Sequence, residues 1–355
     1  MKRALLHASR PLALVLATAF AAACSTAGVN DDDAPPPPSG TPIELAIEKN
    51  KAAREAFDND DWDDAADLFE EVADGWSGEA IGVEARYWQG ESLFRDGEYY
   101  EAFKQFEVFP VTHPLFHWID RVEQRIFECG TRLIVEGRRG ALGLGILTYD
   151  AQGEEVLVFL TERFPNGRFA DDAFVELARH YRNKRDYPLA ASTLETMLRR
   201  YPNSDRALEA RLLLGVSHLD QNRGEVYDPR SLRRARYHYR MFVEQAARTQ
   251  GRGSAMTAPE LASRVALAER RIRQIDETLS AHAIHVANWY AHIENENAAA
   301  YYLRRAAARY PETNGGREAA ERLRAMGQEV PAPGSIPDRP IDDDPTPDEP
   351  PAAGR

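Results

Sequence analysis

The sequence predicts an all-α fold: a superhelical solenoid of stacked helical hairpins, with a disordered N-terminal tether and a disordered C-terminal tail. Three observations predict it. Apolar residues recur at three- and four-residue spacing from 43 to 327, and alternating strand-like runs are scarce there. Proline-ended phrases repeat within that stretch. Proline and acidic residues crowd both flanks, where too few apolar side chains remain to bury a core.

The first element is a targeting segment. Lys2, Arg3 and Arg10 supply positive charge, and an apolar run follows from Pro11 to Ala23. That run is shorter than the roughly 20 residues of a spanning helix, so 1–23 reads as a signal peptide. Ala21, Ala22 and Ala23 precede Cys24. This resembles the lipobox of bacterial lipoproteins, with Ala21 where the pattern prefers leucine. The resemblance implies cleavage before Cys24, acylation of that cysteine and, with Ser25 rather than aspartate next, sorting to the outer membrane. Several acyl chains on one terminus anchor stably. Residues 24–42 then form a proline- and aspartate-rich linker that reaches on the order of 50 Å when extended. At the other end, 328–355 carries Pro331, Pro333, Pro337, Pro340 and the run Asp342 to Asp344, and reads as a disordered acidic tail.

Composition narrows the partners. A net charge of −13 over 355 residues excludes a nucleic-acid surface, which needs basic charge. With Cys24 acylated, Cys129 is left alone, so no intramolecular disulfide is expected and Cys129 reads as a small core residue. No later stretch is apolar enough to cross a membrane.

The body repeats itself. Met197 to Ser204 echoes Phe159 to Asn166 and again Ala306 to Thr313, each an amphipathic helix stopped by proline. In one unit Gly90, Leu93, Gly97, Tyr99, Ala102, Phe106 and Pro114 stand at the spacing of the 34-residue tetratricopeptide repeat. Gly90 and Ala102 are small where two helices cross, Gly97 allows the sharp turn, and Tyr99 and Phe106 fill the space between hairpins. The first unit carries Ala53, Ala56, Trp62, Ala65 and Phe69. A later one carries Leu177, Ala178, Tyr181, Tyr187, Ala190, Leu194 and Pro202, and the last Ala287, Tyr290, Ala299, Leu303, Ala306 and Pro311. Two units are irregular. One pairs helices near 116–136 and 151–164 across a glycine-rich connection, 137–145. The other holds Leu214, Gly215 and His218, then an insertion near 221–229, then Ala235, Tyr239 and Phe242. A further helix near 259–276 leads into the last unit. About six hairpins result, none able to cover its apolar face alone.

With its lipobox and repeats, the chain resembles the BamD-like outer-membrane assembly lipoproteins, a tetratricopeptide-repeat family. The likeness spans about 44–327 and is sharpest from Leu261 through Tyr290 to Pro311. The five repeats of that family do not account for 116–165, nor its pattern for the acidic tail. The resemblance implies a non-catalytic scaffold of the β-barrel assembly machinery. Its N-terminal repeats would offer a groove to unfolded outer-membrane protein segments, and its C-terminal repeats would dock on periplasmic domains of a BamA-like barrel protein. Carried over by register, the groove face holds Asn50 and Arg54, then Tyr87, Glu91 and Arg95, then Arg179, Arg182 and Asn183. Amide and guanidinium groups suit the acceptors of a peptide backbone or carboxylate. The alternative is a periplasmic tetratricopeptide adaptor that regulates cell-envelope or peptidoglycan enzymes.

No catalytic set is present: no Gly-x-Ser-x-Gly elbow, no phosphate-binding loop and no His-Glu-x-x-His. No cofactor or metal is expected. His282, His285 and His292 share one helix without a completing ligand. The acidic run from Asp58 to Asp64 lacks the glycine and glutamate of a calcium loop and reads as a hairpin turn. Arg230, Arg233, Arg234, Arg236 and Arg240 read as a solvated basic face.

Overall fold

A computed structural model of the chain describes residues 42–140, 148–221, 229–249 and 253–336. The signal segment, Cys24, the linker up to 41, Ala141–Gly145 of the glycine-rich connection, Asn222–Asp228 of the insertion, and 337–355 lie outside the described residues.

Among the described residues all regular structure is helical. The first hairpin pairs α1 (Pro42–Asp58) with α2 (Trp62–Gly75), and the second pairs α3 (Ala80–Asp96) with α4 (Tyr99–Phe106). A short α5 (Phe109–Thr112) follows. The third hairpin is α6 (Ile119–Gly140) with α7 (Thr148–Arg163), and the fourth α8 (Ala170–Asn183) with α9 (Tyr187–Arg200). The fifth is α10 (Ala207–Asp220) with α11 (Arg230–Thr249). The last is α12 (Ala258–His292) with α13 (Glu296–Arg309), capped by α14 (Asn314–Ala325). Most packing is between helices adjacent in sequence, from α2 on α3 through α13 on α14, and α4 also packs on α6 and α12 on α14. That is how an array of repeats builds one continuous core.

Local chemistry explains the elements. On α2 the buried positions Ala65, Ala66, Phe69, Val72 and Ala73 trace one face at helical spacing. Four hairpin turns close identically. Asp61, Glu98, Asp186 and Asn295 each donate a backbone N–H to the carbonyl five residues back, on Ala56, Leu93, Tyr181 and Tyr290, at 2.9–3.0 Å. The residue before each donor is left-handed: Gly97 at φ 96°, but Asp60, Arg185 and Glu294 at 64°, 61° and 59°. This is the Schellman closure, and glycine serves it in only one of the four turns. The connections between hairpins repeat as well. Phe164, Tyr201 and Tyr310 donate to Leu160, Met197 and Ala306, and a proline follows each to stop the helix.

Four expectations change. Pro110 cannot continue α4, because it lacks an N–H and crowds the carbonyl of residue 106, so the second helix of that hairpin breaks into α4 and α5. The connection expected from Gly137 begins later, since α6 runs to Gly140. The helix near 259–276 and the first helix of the last hairpin are one helix of 35 residues, α12, with no glycine or proline past its first turn to interrupt it. The tail does not start at 328. Gln328 accepts from Arg304 at 2.7 Å, Val330 packs on the last hairpin, and Gly334 N–H donates to Ala308 at 2.8 Å.

No described helix is long and apolar enough to cross a membrane. Cys129 is fully buried, as expected, and burial pushes its thiol well above its ordinary range.

Candidate groove and docking surface

The repeat period is visible in side-chain contacts. Glu91 and Arg125, Asp172 and Arg206, Tyr187 and Gln221, and Asn288 and Arg322 each join positions 34 residues apart. A step of one repeat returns the chain to an equivalent place, so these bonds lock neighbouring hairpins in register. Between α6 and the start of α8 the step is larger: the Glu123 carboxylate accepts from Phe169 N–H at 2.7 Å, 46 residues away. The helices of that hairpin are longer than those of the next: α6 has 22 residues and α7 has 16, against 14 each in α8 and α9. Residues 116–165, which the five repeats of the family do not account for, hold the helices α6 and α7, and these pack on α4 and α8.

The N-terminal face is aromatic. Arg54 of α1 lies flat over Trp88 of α3, with Cζ 3.6 Å from the ring centre. Phe57 meets Trp62 and Trp88 edge-on at 4.8 and 5.2 Å, and Trp118 continues the row 5.8 Å from Trp88. Arg95 sits 5.7 Å over Trp62, and Arg121 the same distance over Trp118. Arginine stacked on indole is held in place while its N–H edge remains available to an acceptor. Burial lowers the Arg54 pKa from its ordinary value, with Glu84 and Asp58 opposing the shift. Asn50 is half-buried on the same helix as Arg54.

Two expected groove residues are not on that face. Tyr87 and Glu91 are buried, and the Tyr87 hydroxyl donates to Glu91 Oε1 at 2.7 Å. Arg125 donates to both Glu91 oxygens, at 2.8 and 2.9 Å, and to Glu128 at 2.5 Å. α6 packs on α4, the partner of α3, and its Arg125 reaches across to them; a bidentate pair of this kind satisfies a buried carboxylate. They lock hairpins together rather than reach a ligand. The half-buried Trp88 and Trp118 take their place on the face, and a one-repeat step from Arg54 lands on Trp88.

The middle arginines are already paired. Arg179 donates to Glu176 at 2.6 Å and also to Glu209, while Arg182 donates to Asp220 at 3.1 Å. Arg182 Nε is buried without a hydrogen-bond partner, and Asn183 is exposed at the end of α8.

At the C-terminal end Trp289 and Ile293 are about half exposed, at 50% and 48%. A cleft of about 430 Å³ opens nearby in the chain, walled by Arg236, Arg240, Arg309, Tyr310 and Ile336. Arg236 is not solvated: it is 1% exposed, ion-paired with Asp276 and 5.1 Å over the Tyr310 ring. The long α12 carries Asp276 across the inner face of α11, which is why one arginine of a basic stretch is buried. His285 and His292 are exposed.

A family model described as "YfiO: Outer membrane lipoprotein" matches residues 150–332. The chain belongs to this family. A tetratricopeptide-repeat model matches residues 50–110, so the two together cover both ends of the array. No curated protein matches the chain. Solved structures similar to it include a thermophilic TPR protein of Thermus thermophilus, at 16% identity over 63% of this chain and 99% of that one, TM-score 0.32. Another is the C-terminal part of a TPR repeat-containing protein from Cytophaga hutchinsonii, at 14% identity over 76% of this chain and 98% of that one, TM-score 0.23. Family membership brings an association with the outer membrane and, with the repeats, a BamD-like scaffold role in outer-membrane protein assembly.

Proposed function

We propose that this lipoprotein is a non-catalytic scaffold of the β-barrel assembly machinery, tethered to the periplasmic face of the outer membrane by lipid on Cys24. The N-terminal hairpins hold extended segments of unfolded outer-membrane proteins, with Asn50, Arg54 and Arg95 offering donors beside Trp88 and Trp118. The C-terminal repeats dock on the periplasmic domains of a BamA-like barrel protein, using the half-exposed Trp289 and Ile293. The observation that carries this reading is the outer-membrane-lipoprotein family match across 150–332, which spans those C-terminal hairpins. Two stacked arginine–tryptophan pairs support the peptide groove, since they combine an apolar surface with fixed donors.

The test is site-specific photo-crosslinking in the native envelope, with one probe at position 289 and another at 54. Capture of the barrel-assembly protein from 289 and of unfolded outer-membrane proteins from 54 is the expected result. Capture of peptidoglycan enzymes from both positions, with the barrel protein absent, overturns it in favour of an adaptor of cell-wall machinery.

A further inference from the structure

Three helices from two neighbouring hairpins converge on a set of side chains that the scaffold role does not use. Glu195 comes from α9, His218 from α10 and His238 from α11. One ligand atom from each lies within 4.8 Å of the others. The Glu195 carboxylate is 3.7 Å from His218 Nε2, and the two imidazole rings lie nearly parallel, 18° apart with centres at 5.5 Å.

His218 is 2% exposed, yet neither of its ring nitrogens has a hydrogen-bond partner, and the buried Nδ1 of His238 has none either. Native proteins rarely leave buried polar atoms unmet, and a cation answers one nitrogen of each ring. The Glu195 carboxylate faces these nitrogens, and the cationic Arg211 and Arg234 lie around them. Two imidazoles and a carboxylate are a ligand set that suits zinc and similar cations.

We propose that Glu195, His218 and His238 bind a single zinc-type divalent cation that staples the α8/α9 hairpin to the α10/α11 hairpin. The site is three-coordinate from the protein, and exposed Glu195 leaves the fourth position to water. Tetrahedral ligands at about 2.0–2.1 Å from the metal stand roughly 3.4 Å apart. The atoms, up to 4.8 Å apart, therefore need to close by about 1.4 Å at most. The nearby Arg211 and Arg234 oppose a cation, and Glu195 supplies the negative charge. The role is structural: the cation ties together helices that meet only through the stacking of two repeats.

The test uses the full-length, untagged protein in detergent, stripped with chelator and titrated with Zn²⁺ by calorimetry and with Co²⁺ by visible absorption. Uptake of one ion per chain, tetrahedral cobalt bands and a rise in Tm with Zn²⁺ are expected. Glu195→Gln and His238→Gln should each weaken binding at least tenfold and remove the Tm rise, while His285→Ala leaves both intact. Glu195 is on the surface, so its variant keeps the fold. Failure of the native chain to take up either ion, or uptake unchanged in both variants, overturns the proposal.

Discussion

Around α3, α4 and α6 the space between helices is filled by rings, whereas around α12, α13 and α14 it is closed by alanine and glycine. In the first region Phe103, Phe106, Phe109 and Tyr87 are buried together, and Gly90 exists to admit the Phe106 ring. In the second, Ala298, Ala299, Ala300, Ala306, Ala307 and Ala308 are buried on one helix, and Gly315 presses against Ser280. The repeat geometry is the same, but the helix surfaces approach differently. Ring packing leaves aromatic edges at the surface, which is where the candidate groove lies. Small-residue packing brings backbones together and leaves apolar exposure at the helix end, at Trp289 and Ile293.

The largest way to break the first region is to remove a ring. Phe106→Ala deletes a fully buried side chain and is expected to cost about 3–5 kcal/mol, read from the urea midpoint.

Added methyls sharpen the contrast. A Cβ at Gly90 meets the Phe106 ring at 2.7 Å, whereas one at Gly315 meets the Ser280 carbonyl carbon at 2.8 Å. Gly90→Ala and Gly315→Ala should each cost about 1–3 kcal/mol. Phe106→Leu should partly relieve the first in a double-mutant cycle, because a side chain can yield. Ser280→Gly should relieve the second only in part, because it removes Oγ at 2.8 Å and Cβ at 2.9 Å but leaves the carbonyl carbon at 2.8 Å. Full relief of Gly315→Ala by that change would falsify the distinction.

Between the two regions, acid should act at His180. It is buried, with Nδ1 3.1 Å from Asp150 and Nε2 3.3 Å from Glu154, and burial above all lowers its pKa. The opposing influences are the Asp150 and Glu154 carboxylates, while Lys184 adds to the lowering. Below its ordinary value of about 6.5 the unfolded chain binds the proton more readily than the folded one. Stability is therefore fully present above that pH and falls as pH drops, by at most about tenfold in the unfolding constant per pH unit for this one proton. His180→Gln should flatten the slope between pH 7 and 5 in chemical denaturation.

The smallest effect tests the shared turns rather than the differing cores. Arg185 and Glu294 adopt the left-handed conformation that Gly97 adopts freely. Arg185→Gly and Glu294→Gly should each stabilise by up to about 1 kcal/mol, since relief of strain exceeds the added entropy of the unfolded chain. A fall in Tm for both would show that their side chains contribute more than the turn costs.

The legibility of the sequence follows the range of each interaction. The hairpins, their proline stops and the Gly97 turn were readable because helical periodicity, proline chemistry and positive φ act within a few residues. Gly90, Ala102 and Phe106 fell at their packing positions for the same reason. The groove residues were less readable. Register placed Arg54 and Arg95 on a ring-lined face, but Tyr87 and Glu91, on the same helix as Arg95, turned out to be covered by Arg125. The signal for this was a charge pair one period apart, Glu91 with Arg125, which means nothing until two hairpins stack.

By itself the sequence determined the class of fold, the repeat unit and the likeness to outer-membrane assembly lipoproteins, all written in local pattern and short motifs. Tertiary structure alone decided which face of each helix is covered. It buried Arg236 against Asp276 by running α12 unbroken, and it brought Glu195, His218 and His238 together from three helices. The physical reason is that a helix presents all its faces in sequence, and only the neighbour that packs on it chooses which of them lose water.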